Sequence, residues 1–136
     1  MQTENNATPF PSTKRELLGN LAAALLPIEK LKLKSPRGVL FELELHDFLV
    51  TNFNGYTVSS GNISGHWKDD TGHDHYGEHR QYKVALAADE GLRSLEVFLA
   101  EIAAEMREEC VYLEVGREIF LIYASQIKRD AATEAH

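Results

Sequence analysis

From Leu95 to Met106 the apolar residues Leu95, Phe98, Leu99, Ile102 and Met106 recur three and four apart, while Glu96, Glu101, Glu105 and Glu108 fall on the other side. That spacing is the mark of an amphipathic helix, whose apolar stripe is stable only when something covers it. The flanking segments have a period of two. Tyr82, Val84 and Leu86 alternate with Lys83 and Ala85 before the helix, and Cys110 to Glu114 and Glu118 to Tyr123 follow it, joined around Gly116-Arg117. Strands on both sides of one strongly amphipathic helix demand a layered α+β domain in which the stripe lies on a sheet.

The rest of the chain extends that pattern. Tyr56 to Lys68 is rich in Tyr, Thr, Val, Ile and Trp, with Gly61 and Gly65 inside it, which predicts a strand carrying a bulge or bend. Thr71-Gly72 marks a turn, and Gln81 to Ala87 then reads as the returning strand of a long hairpin. Between Ser35 and Asn54 two periods compete. Phe41, Leu43 and Leu45 alternate with Glu42 and Glu44 as in a strand, yet Ser35-Pro36 is a helix start, Asn54-Gly55 a helix stop, and Phe41, Leu45, Phe48 and Leu49 share a helical face. A helix over most of residues 36–53 is the favoured reading, with the strand left open. Lys30 to Lys34 alternates as a short edge strand, and Thr13 with Glu16 forms a capping-box pattern ahead of Leu17, Leu18, Leu21 and Leu25, predicting a first helix over about residues 13–26. Residues 1–12 and 129–136 read as flexible tails around a single domain at 13–128. In order, these elements give a ferredoxin-like split βαββαβ sheet with an additional N-terminal helix and a long β-hairpin. Such a sheet has one open face, which the first helix, a second subunit or both would cover, so a homo-oligomer, trimer or dimer, is expected.

Composition narrows the partners. At 136 residues, 43% hydrophobic and 26% charged, the chain can bury an ordinary core. Its formal net charge of -7 disfavours nucleic acid, where affinity comes largely from Lys and Arg on phosphates. The amino terminus lacks a signal-peptide pattern and no apolar run has the length of a membrane helix, so no membrane insertion and a cytoplasmic location are expected. Cys110 is alone, which forbids an internal disulfide; beside Val111 it reads as a buried, inert thiol.

Chemistry concentrates between His66 and His79, where four of the six histidines stand. His73 and His75 are two apart and His79 four further on, so all three fall on one side of an extended strand, with His66 on the opposing strand. Those imidazoles make a candidate site for Zn²⁺ or another transition metal, although their spacing matches no zinc signature. A solvated hairpin tip and a contact surface for a partner protein, formed by His66, Trp67, His73, His75, Tyr76, Glu78 and Arg80, are the other two readings. Trp67 suits a core or interface anchor, and Glu78 with Arg80 a cross-strand ion pair. Ser59, Ser60 and Ser64 lack a nucleophile elbow, and the adjacent Asp69 and Asp70 point apart in a strand, so catalysis finds no signature.

Three short stretches resemble the nitrogen-regulatory PII-like signalling proteins. Gly55-Tyr56-Thr57-Val58 is similar to that family's helix-to-second-strand junction, Tyr76-Gly77-Glu78-His79-Arg80-Gln81-Tyr82 to the end of its long T-loop, and Gly116-Arg117-Glu118-Ile119-Phe120-Leu121 to its glycine-bearing loop before a last core strand. The resemblance implies a regulator that binds a small effector, often an adenine nucleotide, between subunits and engages a partner protein through the T-loop. It assigns Gly116 and Arg117 to the effector's phosphate and residues 66–80 to the partner. The family's loop carries several glycines and following basic residues; here Gly116 stands alone and the chain continues Ile122-Tyr123-Ala124, so a structural turn with a surface Arg competes. Gly55, Thr57, Val58, Gly65, Trp67 and Gly72 also resemble a ferredoxin-like family of unknown function.

Overall fold

The computed structural model describes residues 11–126. Its elements run β1 (Asn20–Pro27), α1 (Ile28–Leu31), α2 (Phe41–Asn52), β2 (Tyr56–Val58), β3 (Ile63–Lys68), β4 (Asp74–Leu86), α3 (Asp89–Met106), β5 (Cys110–Val115) and β6 (Glu118–Tyr123). The six strands form one antiparallel sheet in the order β2-β4-β1-β5-β6, with β3 pairing the outer part of β4 beyond β2. Among the described residues the protein is thus a mixed α+β fold with three helices, and the expected hairpin is present: Ile63 lies opposite His79 and Lys68 opposite Asp74.

The N-terminal helix expected over residues 13–26 does not form. Asn20–Pro27 is instead the central strand, paired with β4 from Asn20↔Leu86 to Pro27↔His79 and with β5 from Ala22↔Val115 to Leu25↔Tyr112. The run Leu21-Ala22-Ala23-Ala24-Leu25-Leu26 misleads because a strand buried on both faces is continuously apolar, and alanine and leucine carry high helix propensity. Leu17 and Leu18, which would have extended the helical stripe, are exposed. The Lys30–Lys34 strand is also absent: α1 occupies its start, and Lys34 makes a single bridge to Leu40. Ser35 does not cap a helix either; its hydroxyl bonds Glu44 and accepts from the Arg37 amide, in a turn ahead of α2. The expected tail at 129–136 and most of that at 1–12 lie outside the described residues.

Alternation along the strands divides the sheet's two faces. Ala22, Ala24 and Leu26 of β1, Tyr82, Val84 and Leu86 of β4, and Val111 and Leu113 of β5 meet Phe41, Leu45 and Leu49 of α2 and Leu95, Leu99, Ile102 and Met106 of α3 in one core. A clamp locks the two helices outside it, because Arg37 bonds both Glu44 of α2 and Glu105 of α3. No helix lies on the opposite face among the described residues. It presents Leu21, Leu25, Tyr112, Ile119, Leu121 and Tyr123, cross-strand neighbours by register. Leu21, Ile119 and Tyr123 are exposed, and residues 11–18, also exposed, do not cover them.

Candidate functional site

One aspartate organises the hairpin's turn. Asp69 Oδ1 accepts from the Thr71 amide at 2.9 Å, the Thr71 hydroxyl at 2.7 Å and the His73 amide at 3.0 Å, while Gly72 (φ 86°) takes the left-handed position that closes the turn. Its other oxygen, Oδ2, lies 2.9 Å from His75 Nε2, which places that ring's proton on Nε2. These bonds, the Thr71 hydroxyl's first and His75's second, hold the Asp69 carboxyl well below the usual carboxylate range. Asp69 is a fixed anion, and it fixes His75.

A second carboxylate arrives from far along the chain. Helix α3 ends at Arg107 in the left-handed conformation (φ 61°, ψ 39°), with the Arg107 and Glu108 amides donating back to Ala104 and Ala103. This reversal sends Glu109 toward the hairpin tip. Glu109 Oε1 comes within 3.5 Å of His73 Nε2 and 3.8 Å of His75 Nε2, and one donor atom from each of the three residues lies within 4.8 Å of the others. Two ligands bound at 2.0–2.1 Å to a tetrahedral ion sit about 3.4 Å apart, so the two distances to Glu109 are close to those of a Zn²⁺ site.

The four histidines proposed from the sequence as ligands do not converge. His73 and His75 meet, with ring centroids 4.9 Å apart. His66 pairs across the ladder with Tyr76, so it faces the other side of the hairpin, where its Nε2 lies 3.5 Å from Asp74. Tyr76 stands on that side too, strongly exposed. His79 shares the His75 side but sits lower on the strand, buried against Trp67 at a centroid distance of 5.2 Å. The expected Glu78–Arg80 pair is replaced as well: Glu78 accepts from Ser64 across the ladder and Arg80 bonds Glu42 of α2 at 3.1 Å. Asp69 and Glu109 are the site residues that spacing could not reveal. Glu109 enters only because α3 and the hairpin close a loop of more than thirty residues.

Gly116 and Arg117 form the tight turn between β5 and β6, with Gly116 at φ 59°. They stand at the opposite end of β5 from Glu109 and Cys110, about 20 Å away along an extended strand. Within one protomer they therefore lie apart from the hairpin tip.

Below the tip, on the open face, Trp67 packs between His79 and Tyr112, its ring 5.1 Å from the latter. Gly65 makes this possible, since a Cβ there would collide with the six-membered edge of the indole. Among the described residues His79 Nδ1 is buried without a hydrogen-bond partner, while the equally buried Trp67 Nε1 faces the Cys110 thiol. Burial pushes the nearby Cys110 thiol up, which keeps it protonated and unreactive as the sequence suggested. No helix among the described residues is long and apolar enough to cross a membrane.

No protein-family model and no curated protein matches this sequence. Among solved structures, the chain is similar to a phage SAM lyase in complex with S-methyl-5'-thioadenosine, at 12% identity and a TM-score of 0.49, over 85% of this chain and 98% of that one. A likeness of that degree carries no argument about function.

Proposed function

We propose that this protein is a metal-binding module whose hairpin tip holds one divalent transition-metal ion, Zn²⁺ being the best match, through His73, His75 and Glu109. The observation that carries this reading is the convergence of their three donor atoms within 4.8 Å. Two imidazoles and a carboxylate suit a borderline cation rather than Ca²⁺ or Mg²⁺, which select oxygen. An ion held by His75 Nε2 would require the Nδ1–H tautomer of that ring, with its proton moved from Nε2 to Nδ1, and the ionised Asp69 carboxylate so released would be available as fourth ligand. His73 and Glu109 are well exposed, which suits an exchangeable ion and a sensing or delivery role over a permanent structural one. His66 and His79 are not ligands in this reading.

Metal analysis and calorimetric titration of protein purified without a polyhistidine tag test it. One equivalent of Zn²⁺ is expected for the native chain, with binding abolished in His73→Ala/His75→Ala and weakened in Glu109→Gln. Undiminished binding in the double variant would refute the assignment.

A second reading rests on the sheet face that no helix covers among the described residues. The strand order, with β1 central and α2 and α3 on one side, supports a ferredoxin-like βαββαβ unit extended by β6. Its exposed Leu21, Ile119 and Tyr123 suit burial in a homo-oligomer. In such an assembly Gly116 and Arg117 of one subunit can approach another subunit, the arrangement a PII-like regulator of a partner protein requires for an adenine nucleotide. A cytoplasmic setting, where a lone thiol stays reduced, fits both readings. Light scattering gives the subunit number, and a rise in melting temperature with ATP or ADP, lost in Arg117→Ala, is the expected sign of an effector.

A further inference from the structure

The hairpin reaches past the sheet that carries it. Pairing of β4 with β1 ends at Pro27↔His79, and β2 pairs only with the stretch from Tyr82 to Val84, so from Asp74 to Glu78 strand β4 has β3 as its one strand partner among the described residues. Residues 64–78 therefore form a two-stranded arm, and such a ribbon is marginal in water unless something backs it.

The backing comes from β5, β6 and the residue just ahead of β5. Trp67 packs on Tyr112 with ring centroids 5.1 Å apart, the Tyr123 hydroxyl donates to Asp70 Oδ1 at 3.4 Å, and Glu109 Oε1 stands 3.5 Å from His73 and 3.8 Å from His75. Apart from the ring contact, these are weak attachments. The Tyr123 bond is long, and the His73 and Glu109 side chains, 62% and 65% exposed, make a pair that water screens. The seam is also unfilled: between arm and body lies a cavity of about 170 Å³, bordered by Leu25 and Cys110 on the sheet and by Trp67 and His75 on the arm. Packed interiors hold few voids larger than a water molecule, so this seam is looser than a core.

The candidate metal site straddles it. His73 and His75 belong to the arm, whereas Glu109 belongs to the body, placed by the reversal that ends α3. An ion taken up by all three joins arm to body by coordinate bonds, where the metal-free chain has a screened pair.

We infer that the metal ion is a clasp: its arrival closes the arm on β5 and β6, and its loss leaves the arm free to lift, uncovering Trp67 and the seam. This inference rests on the metal reading above and adds to it what occupancy of the site controls.

Trp67 is the chain's single tryptophan, and Zn²⁺, a closed-shell ion without redox chemistry, does not quench it. Acrylamide quenching of its emission thus reports closure of the arm, while calorimetry on the same untagged protein reports binding. When EDTA is replaced by saturating Zn²⁺, the native chain should bind one equivalent and its quenching constant should fall about twofold or more, the change for an arm that is open about half the time without the ion. Glu109→Ala, at an exposed position, removes the body's ligand and keeps both arm histidines. It should bind Zn²⁺ more weakly and, at saturation, show no fall in quenching. Stoichiometric binding by the native chain with quenching unchanged would overturn the clasp and leave the metal assignment standing. So would a Glu109→Ala variant that responds as fully as the native chain. Absence of Zn²⁺ binding would overturn both.

Discussion

The two faces of this sheet are built from the same strands and have opposite fates. Toward α2 and α3 aliphatic side chains interlock with Phe41 and Tyr82, and Leu26, Leu99 and Leu113 lose all contact with solvent. Toward the open side, aromatic and polar groups share the surface, His79 Nδ1 is buried without a partner among the described residues, and Ile119 remains 63% exposed. The covered face satisfies every demand within one chain and serves stability. The open face leaves Leu21, Ile119 and Tyr123 exposed among the described residues.

Substitution can break that contrast, most strongly in the covered core. Leu99→Ala should cost about 2–5 kcal/mol in a urea titration, because it removes a fully buried side chain from the helix-sheet seam. Gly65→Ala should cost less, about 1–3 kcal/mol, since the added methyl displaces the Trp67 indole; its distinctive sign is a red-shifted tryptophan emission. An effect comparable to that of Leu99→Ala would mean that the open face stabilises the fold as much as the core does.

A third, smaller effect sharpens the comparison through pH. The Asp69 carboxyl is depressed in the folded state, so its contribution is present above the unfolded value of about 3.9 and is lost as pH falls through the folded one. Melting temperature of the native chain should therefore fall more steeply below about pH 4 than that of Asp69→Asn. Equal slopes would show that the turn does not depend on this anion. Smallest of all, Ile119→Ser should change monomer stability by less than about 0.5 kcal/mol. A large loss of stability that depends on protein concentration would show instead that the open face is covered by another subunit.

Legibility in the sequence followed the source of the stabilising contacts. Helix α3, the hairpin and the β5–β6 pair were readable because their periodicity alone sorts buried from exposed positions. The Ser35–Asn54 region resolved as a helix over Phe41–Asn52, ending where Asn54-Gly55 marks a stop. Two segments were misread: β1, whose residues Ala22 to Leu26 are buried in succession and so show no period, with the capping pattern at Thr13 and Glu16 pointing toward a helix, and Lys30–Lys34, where α1 occupies the start of the expected strand. At the candidate site His73 and His75 were legible from their spacing. Asp69 was visible only as a turn residue, and Glu109 carried no local signal.

The sequence by itself determined which segments are amphipathic, where the chain turns and that imidazoles gather at one hairpin tip, because each follows from the identity of near neighbours. Tertiary structure decided which histidines meet a carboxylate, which ring nitrogen is left unpaired and which strand lies at the centre of the sheet. Those outcomes depend on contacts between residues dozens of positions apart, and no local pattern encodes the path by which packing closes such loops.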